Sequence, residues 1–174
     1  MHCRMSAELK CATLRNPPLA SHAYVATSFE TAEDKARMGD MLLSFIARGM
    51  PRSAWNKRLY RRLSNMFGFI AHYDINGFWE EQLSTTQARI AFLEQIEAYP
   101  CWGQPTHTWS DVEREIQNRL RAARLADAYR SELRREKEHT ERAMLAALSA
   151  KYKHLAPAGA AMMPSAAPVQ LGLF

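Results

Sequence analysis

The 174-residue sequence has little cysteine and no long hydrophobic run. Its apolar runs fall short of the roughly 18 residues that a membrane-spanning helix needs. The N-terminal segment also lacks the apolar centre of a secretory signal. The three cysteines are odd in number and match no disulfide framework, so reduced thiols are the simplest interpretation. These absences predict a cytoplasmic protein that does not enter a membrane.

The chain also lacks the short motifs that mark common catalytic and metal sites. Its seven glycines are scattered rather than gathered in a phosphate-binding loop. Cys101 and His107 supply only half of a zinc ligand set, so we interpret them as a buried thiol and a surface histidine. We therefore expect no metal, no cofactor and no catalytic residue in a non-enzymatic protein. A nuclease or another enzyme, with catalytic groups far apart in sequence, is the alternative from a different class.

Acidic residues are missing from one long stretch of an otherwise mixed sequence. Lys and Arg number 23 and Asp and Glu number 18, a net charge of +5, yet residues 41–73 contain six cations and no acid. A basic surface favours nucleic acid or an acidic protein as partner. The candidate residues for binding an anionic partner are Arg52, Lys57, Arg58, Arg61 and Arg62. A solvated helix face that binds nothing is the competing interpretation.

Strand signals are weak throughout, and periodicity and capping patterns predict an all-α protein. Thr31 with Asp34 favours a helix start, and the helix is expected to run to Arg48 and stop at Gly49 and Pro51. A second helix is predicted from about Ser53, because five apolar residues then recur at spacings of four and three. They are Trp55, Leu59, Leu63, Met66 and Ile70.

Asn76-Gly77 is expected to form a turn or a helix C-cap after this second helix. A hairpin across Phe67–Trp79 is the alternative there, because Asn-Gly is also a hairpin signal. A short helical piece at Phe78–Leu83 follows. Ser84 with Gln87 then forms a capping box for a helix that ends near Ala98.

The C-terminal third of the chain predicts one long helix. Ser110 with Glu113 forms a capping box, and residues 110–156 contain neither Gly nor Pro. We therefore predict a helix over residues 110–155, with a polar interval at 134–142 that is either solvated helix or a bend. The apolar stripe beyond the interval needs a partner or a second copy of the chain. That stripe consists of Met144, Leu148, Tyr152 and Leu155.

These patterns predict a small helical domain with a long C-terminal helix and a flexible tail. Residues 1–27 would form an irregular N-terminal arm, and residues 28–156 the helical domain. Residues 157–174 are rich in Ala and Pro and carry no charge, so they would form the flexible tail.

The C-terminal residues Gln170-Leu171-Gly172-Leu173-Phe174 closely resemble the bacterial sliding-clamp-binding peptide, Gln-Leu-x-Leu-Phe. Four of its five positions match, and the remaining position is the variable one. The resemblance implies that Leu173 and Phe174 enter an apolar pocket of the clamp, that Leu171 fills a neighbouring depression, and that the Gln170 amide forms hydrogen bonds. An apolar tail that folds back over the body and a chance match of five residues are the alternatives.

Residues 66–116 resemble small proteins carried by bacterial conjugative plasmids, in the runs MFGFIAHYDINGFWEEQL, YPCWG and TWSDVEREI. No site residue follows from this resemblance. It implies a protein of a mobile genetic element, and such proteins include inhibitors of host defence. Our leading interpretation is a non-enzymatic interaction protein that docks on the sliding clamp. The alternative is an anti-CRISPR-type inhibitor whose basic helical surface binds a CRISPR effector nucleoprotein complex.

Overall fold

The structure is a computed structural model that describes residues 8–153, and within this range it contains six α-helices and no strand. The all-α class and the long C-terminal helix are therefore confirmed. No helix of the described range is long and apolar enough to cross a membrane. The helices are α1 (Ala32–Ala47), α2 (Lys57–Met66), α3 (Ile75–Gln82), α4 (Thr86–Ala98), α5 (Ser110–Ala123) and α6 (Leu125–Tyr152).

The chain divides into a compact unit that ends at Glu136 and a second unit that begins at Lys137. The core of the first unit is built around α1, whose apolar side is fully buried. Trp55, just before α2, packs on this helix with its ring centroid 5.8 Å from that of Phe45, and it stacks on Phe78 of α3 at 5.4 Å. The buried side chains of α1 include Leu42, Leu43, Phe45 and Ile46.

The segment before α1 contains two short 3-10 turns, Ala12–Arg15 and Ser21–Ala23, and packs against that helix. Leu19 is buried, and its backbone N–H donates to Asp40 of α1 at 3.0 Å. Gly39 permits this approach, because a Cβ there would lie 2.3 Å from Leu19 and 2.8 Å from Val112 of α5.

Two predicted helix starts differ in their outcome. Thr31 caps α1 as expected, and its hydroxyl accepts from the backbone N–H of Asp34 at 3.1 Å. The capping box at Ser84 is wrong, because Thr85 caps α4 by accepting from the N–H of Ala88 at 3.1 Å. The hydroxyl of Ser84 instead donates to the carbonyl of Glu80, at the end of the preceding helix.

The predicted second helix is shorter than expected, and the predicted turn after it is wrong. Helix α2 begins at Lys57 rather than near Ser53, because Asn56 caps it, and a 3-10 turn over Gly68–His72 follows. Asn76-Gly77 lies inside α3 and forms neither a C-cap nor a hairpin. The carboxylate of Asp74 accepts from both N–H groups at 2.8 and 2.7 Å, so a side-chain cap starts a helix where the dipeptide suggested an end.

A single helix over residues 110–155 is also wrong. Arg124 adopts a left-handed conformation, with φ 49° and ψ 40°, and separates α5 from α6. Ser110 is the first residue of α5 rather than its cap, and its hydroxyl donates to the carbonyl of Gly103 at 3.2 Å. Helix α6 continues through the polar interval at 134–142.

Several predicted features lie beyond this range or remain predictions. Met144, Leu148 and Tyr152 of the second apolar stripe are exposed on α6, and their cover by a partner or a second copy stays a prediction. Leu155 and the tail at 157–174 lie outside the described residues.

Candidate anion-binding cleft

The basic residues singled out by the sequence surround α2, whose opposite side is buried. Leu59, Leu63 and Met66 of this helix are almost fully buried, as the periodicity predicts. Lys57, Arg58 and Arg61 are exposed, and Arg62 is half-buried. Asn56 caps the helix, because its side-chain oxygen accepts from the N–H groups of Arg58 and Leu59 at 3.0 Å each. This cap fixes where the helix begins.

The structure does not bring all five candidate residues together. Arg52 is directed to α3, where its guanidinium donates to the Asn76 side chain at 3.2 Å and lies 5.0 Å from the ring centroid of Trp79. Lys57 and Arg61 are exposed and do not line the cleft described next. Arg58 and Arg62 do line it.

A cleft of about 360 Å³ separates α1 from α2, and we call it the basic cleft. Its apolar side is formed by Met41, Phe45 and Leu59. No acidic side chain of the described range lines it. Four arginines from the two helices do: Arg37, Arg48, Arg58 and Arg62.

Two of these arginines were not among the candidate binding residues, although Arg48 is one of the six cations of the acid-free stretch at residues 41–73. Arg37 precedes the acid-free stretch, and Arg48 lies at the end of α1, so neither belongs to the basic run of α2. A signal was present, because Arg37, Met41 and Phe45 are spaced by four residues and share one helix face. Recognising the cleft required knowing that this face of α1 lies beside α2.

The charge of the basic cleft is only partly compensated. Arg37 forms an exposed ion pair with Asp34 at 3.3 Å, and Arg48 donates to the carbonyl of Ser44 at 3.1 Å. Within residues 8–153, neither Arg58 nor Arg62 forms an ion pair. Guanidinium groups form forked hydrogen bonds to phosphate and carboxylate oxygens. The cleft can therefore hold an anionic group, with apolar surface beside it.

The described residues offer no comparable arrangement for a metal. Among them, no group of three or more His, Cys, Asp and Glu side chains could hold an ion. His107 is exposed, whereas the Cys101 thiol is half-buried and donates to the carbonyl of Tyr99 at 3.7 Å. Burial raises the pKa of Cys101, which disfavours the thiolate that a metal ligand or nucleophile requires.

The clamp-binding residues of the sequence analysis are Gln170, Leu171, Leu173 and Phe174, and they lie outside the described residues. Comparison with known proteins found no match to this chain among family models, curated proteins or solved structures. The resemblances to the clamp-binding peptide and to plasmid proteins therefore stay predictions.

Proposed function

We propose that this protein is a non-enzymatic interaction protein that docks on the bacterial DNA sliding clamp through its C-terminal peptide. The observation that carries the proposal is the sequence Gln170-Leu171-Gly172-Leu173-Phe174, which matches the clamp-binding pattern at every defined position. Adjacent Leu173 and Phe174 would supply most of the affinity, because burying such a side chain contributes roughly 1.5–3 kcal/mol. Gln170 would fix the orientation through its amide.

The helical body would supply the second contact of the docked protein. A protein bound to the sliding clamp is held beside DNA, where phosphate groups are the abundant anions. The basic cleft presents Arg58 and Arg62 without ion pairs among the described residues, and Arg37 and Arg48 lie on its other side. Contacts between arginine and phosphate hold the DNA backbone without reading the base sequence. The body would therefore strengthen binding at clamps loaded on DNA.

A second candidate function rests on the same basic surface. An anti-CRISPR-type inhibitor would use it to bind a CRISPR effector nucleoprotein complex in competition with nucleic acid. The long acid-free stretch at residues 41–73 and the convergence of four arginines on one cleft favour this alternative. The likeness of residues 66–116 to plasmid proteins supplies the biological context.

Recovery of partners from a bacterial lysate distinguishes the two functions. The full chain and a version that lacks residues 169–174 would each be immobilised, and the bound proteins identified by mass spectrometry. Clamp recovered by the full chain alone supports docking through the peptide. Clamp recovered by neither version contradicts it, and a CRISPR effector complex recovered by both versions supports the inhibitor.

A further inference from the structure

A second cleft, of about 430 Å³, shares no lining residue with the basic cleft. It is formed by the turn at residues 27–30, the end of α2, the loop at residues 99–109 and the first turn of α5. Within the described range neither Lys nor Arg lines it, but two acidic residues do, Glu30 and Glu113. We call it the aromatic cleft after Phe29, Tyr99, Trp102 and Trp109.

Two aromatic side chains at this cleft are largely exposed to solvent. Phe29 is 93% exposed and Trp102 is 71% exposed, higher fractions than for any other large apolar side chain of the described range. Exposed aromatic rings of this size are typical of binding surfaces, because they bring large apolar area at low conformational cost.

The turn that presents Phe29 is fixed by hydrogen bonds. The hydroxyl of Thr27 accepts from the backbone N–H groups of Phe29 and Glu30 at 3.2 and 3.0 Å. The same hydroxyl donates to the Glu30 carboxylate at 2.7 Å, and the Thr27 N–H donates to the Glu30 carbonyl at 2.9 Å. The ring therefore projects from a closed turn.

The loop that carries Trp102 is fixed by buried polar side chains. The fully buried ammonium of Lys35 donates to the carbonyls of Pro105 and Thr108 at 2.7 and 2.9 Å. The amide of Gln117 donates to the carbonyl of Tyr99 at 2.6 Å, where the loop begins. Because both rims are tied down, a ligand would meet a preorganised cleft.

Glu113 places a buried carboxyl group at this cleft. It is 5% exposed and forms no ion pair within residues 8–153. The fully buried ammonium of Lys35 is already paired with Asp111 at 3.1 Å. Burial raises the pKa of Glu113 to about 7, and the charges of Arg114 and Lys35 offset this rise only in part.

We infer that the aromatic cleft binds an arginine side chain of a partner protein, with the guanidinium against Trp102 and paired with Glu113. Aromatic faces attract cations, and a planar guanidinium both stacks on a ring and forms forked hydrogen bonds to a carboxylate. The two acidic residues would repel the phosphates of a nucleic acid. This inference does not depend on clamp docking.

A peptide titration of the full-length protein tests the inference. The probe is acetyl-Ala-Arg-Ala-amide, and the matched control replaces arginine by citrulline, which is uncharged and of nearly the same shape. At pH 8, above the pKa of Glu113, the indole N–H resonances of Trp102 and Trp109 should shift saturably with the arginine peptide. The indole of Trp55, which donates to the carbonyl of Ile75 in the core, should not move.

Two variants assign the effect to the cleft. Trp102→Ala and Glu113→Gln should each weaken arginine-peptide binding by about fivefold or more. Glu94→Gln, at an exposed glutamate that pairs with Arg130 outside the cleft, should leave binding unchanged. An unchanged Trp55 resonance would show that the variants are folded.

Four outcomes would overturn the inference. The first is the absence of a saturable shift with the arginine peptide. The second is an equal response to the citrulline peptide. The third is full binding by folded Trp102→Ala and Glu113→Gln proteins. The fourth is a saturable shift of the Trp102 indole by single-stranded DNA alone, which would show that the ligand is a nucleic acid rather than an arginine side chain.

Discussion

Lys35 shows how a single buried charge can organise this fold. Its ammonium is fully buried in α1 and bonds to Asp111 of α5 as well as to two loop carbonyls. A lysine in an amphipathic helix carries no sequence sign of such a role, because most are solvated. Its partners lie seventy or more residues away in the chain and are brought to it only by folding.

Replacing Lys35 by methionine should lower the free energy of unfolding by about 3 kcal/mol or more, because Asp111 and the two carbonyls lose their cation. Lys57→Met, at an exposed position of α2, makes the same chemical change and should cost no more than about 0.5 kcal/mol. Urea unfolding of both variants measures the difference. Equal losses would show that the buried contacts contribute nothing special.

Glu113 should give the protein a characteristic pH dependence of stability. Its pKa is raised by burial from 4.5 to about 7, so the folded protein holds a proton that the unfolded chain releases near pH 4.5. Stability contributed by this group therefore falls as pH rises from about 4.5 to 7. Glu113→Gln removes that fall.

The unfolding free energies of Glu113→Gln and of the unaltered protein would be measured at pH 5 and at pH 8. At pH 8 the unfolding free energy of the variant should exceed that of the unaltered protein by up to about 3 kcal/mol, and at pH 5 the difference should be small. Glu94→Gln, at an exposed site, should show no such change between the two pH values. A gain for Glu113→Gln that is independent of pH would contradict the assignment.

At the scale of the helices, capping patterns in the sequence predicted a helix boundary correctly only where a single residue was available as the cap. Thr31 has no hydroxyl residue directly beside it and caps α1 as expected. Ser84 and Thr85 are adjacent hydroxyl residues, and the sequence does not decide which of them adopts the extended backbone of a cap. The break at Arg124 carries neither Gly nor Pro, so propensity alone predicts an unbroken helix there.

Arg124→Gly should leave stability unchanged or raise it by up to about 1 kcal/mol, because glycine adopts the left-handed conformation without the cost of a side chain. The ion pair of Arg124 with Asp127 is solvent-exposed and adds little. Arg114→Gly, the same change at an exposed position inside α5, should lose about 1 kcal/mol. Equal losses in thermal unfolding would contradict the account of this break.

At the scale of the whole molecule, the helical class and the buried side of α2 could be predicted from spacing alone. The basic cleft could be predicted only in part, because Arg58 and Arg62 belong to a visible basic run whereas Arg37 and Arg48 come from another helix. The aromatic cleft was missed, since it is assembled from segments that are far apart in sequence.

The basic cleft predicts a specific effect on binding to a short single-stranded DNA. Arg58→Gln with Arg62→Gln should weaken binding. It should also make the plot of log affinity against log salt concentration less steep, by the amount that corresponds to about two phosphate contacts. Arg134→Gln with Arg135→Gln removes the same charge from exposed positions of α6 and should have a smaller effect. Fluorescence anisotropy over a range of salt concentrations measures both pairs. Equal weakening would mean that net charge alone matters.

The central claim is that the C-terminal peptide docks on the sliding clamp, and direct binding of purified proteins tests it. The full chain, Leu173→Ala with Phe174→Ala, and Gly172→Ala at the variable position would each be titrated against immobilised clamp. We predict that the double variant binds at least tenfold more weakly, because it loses most of the apolar contact, and that Gly172→Ala retains binding. Unchanged affinity of the double variant, or no binding by the full chain, would contradict the claim.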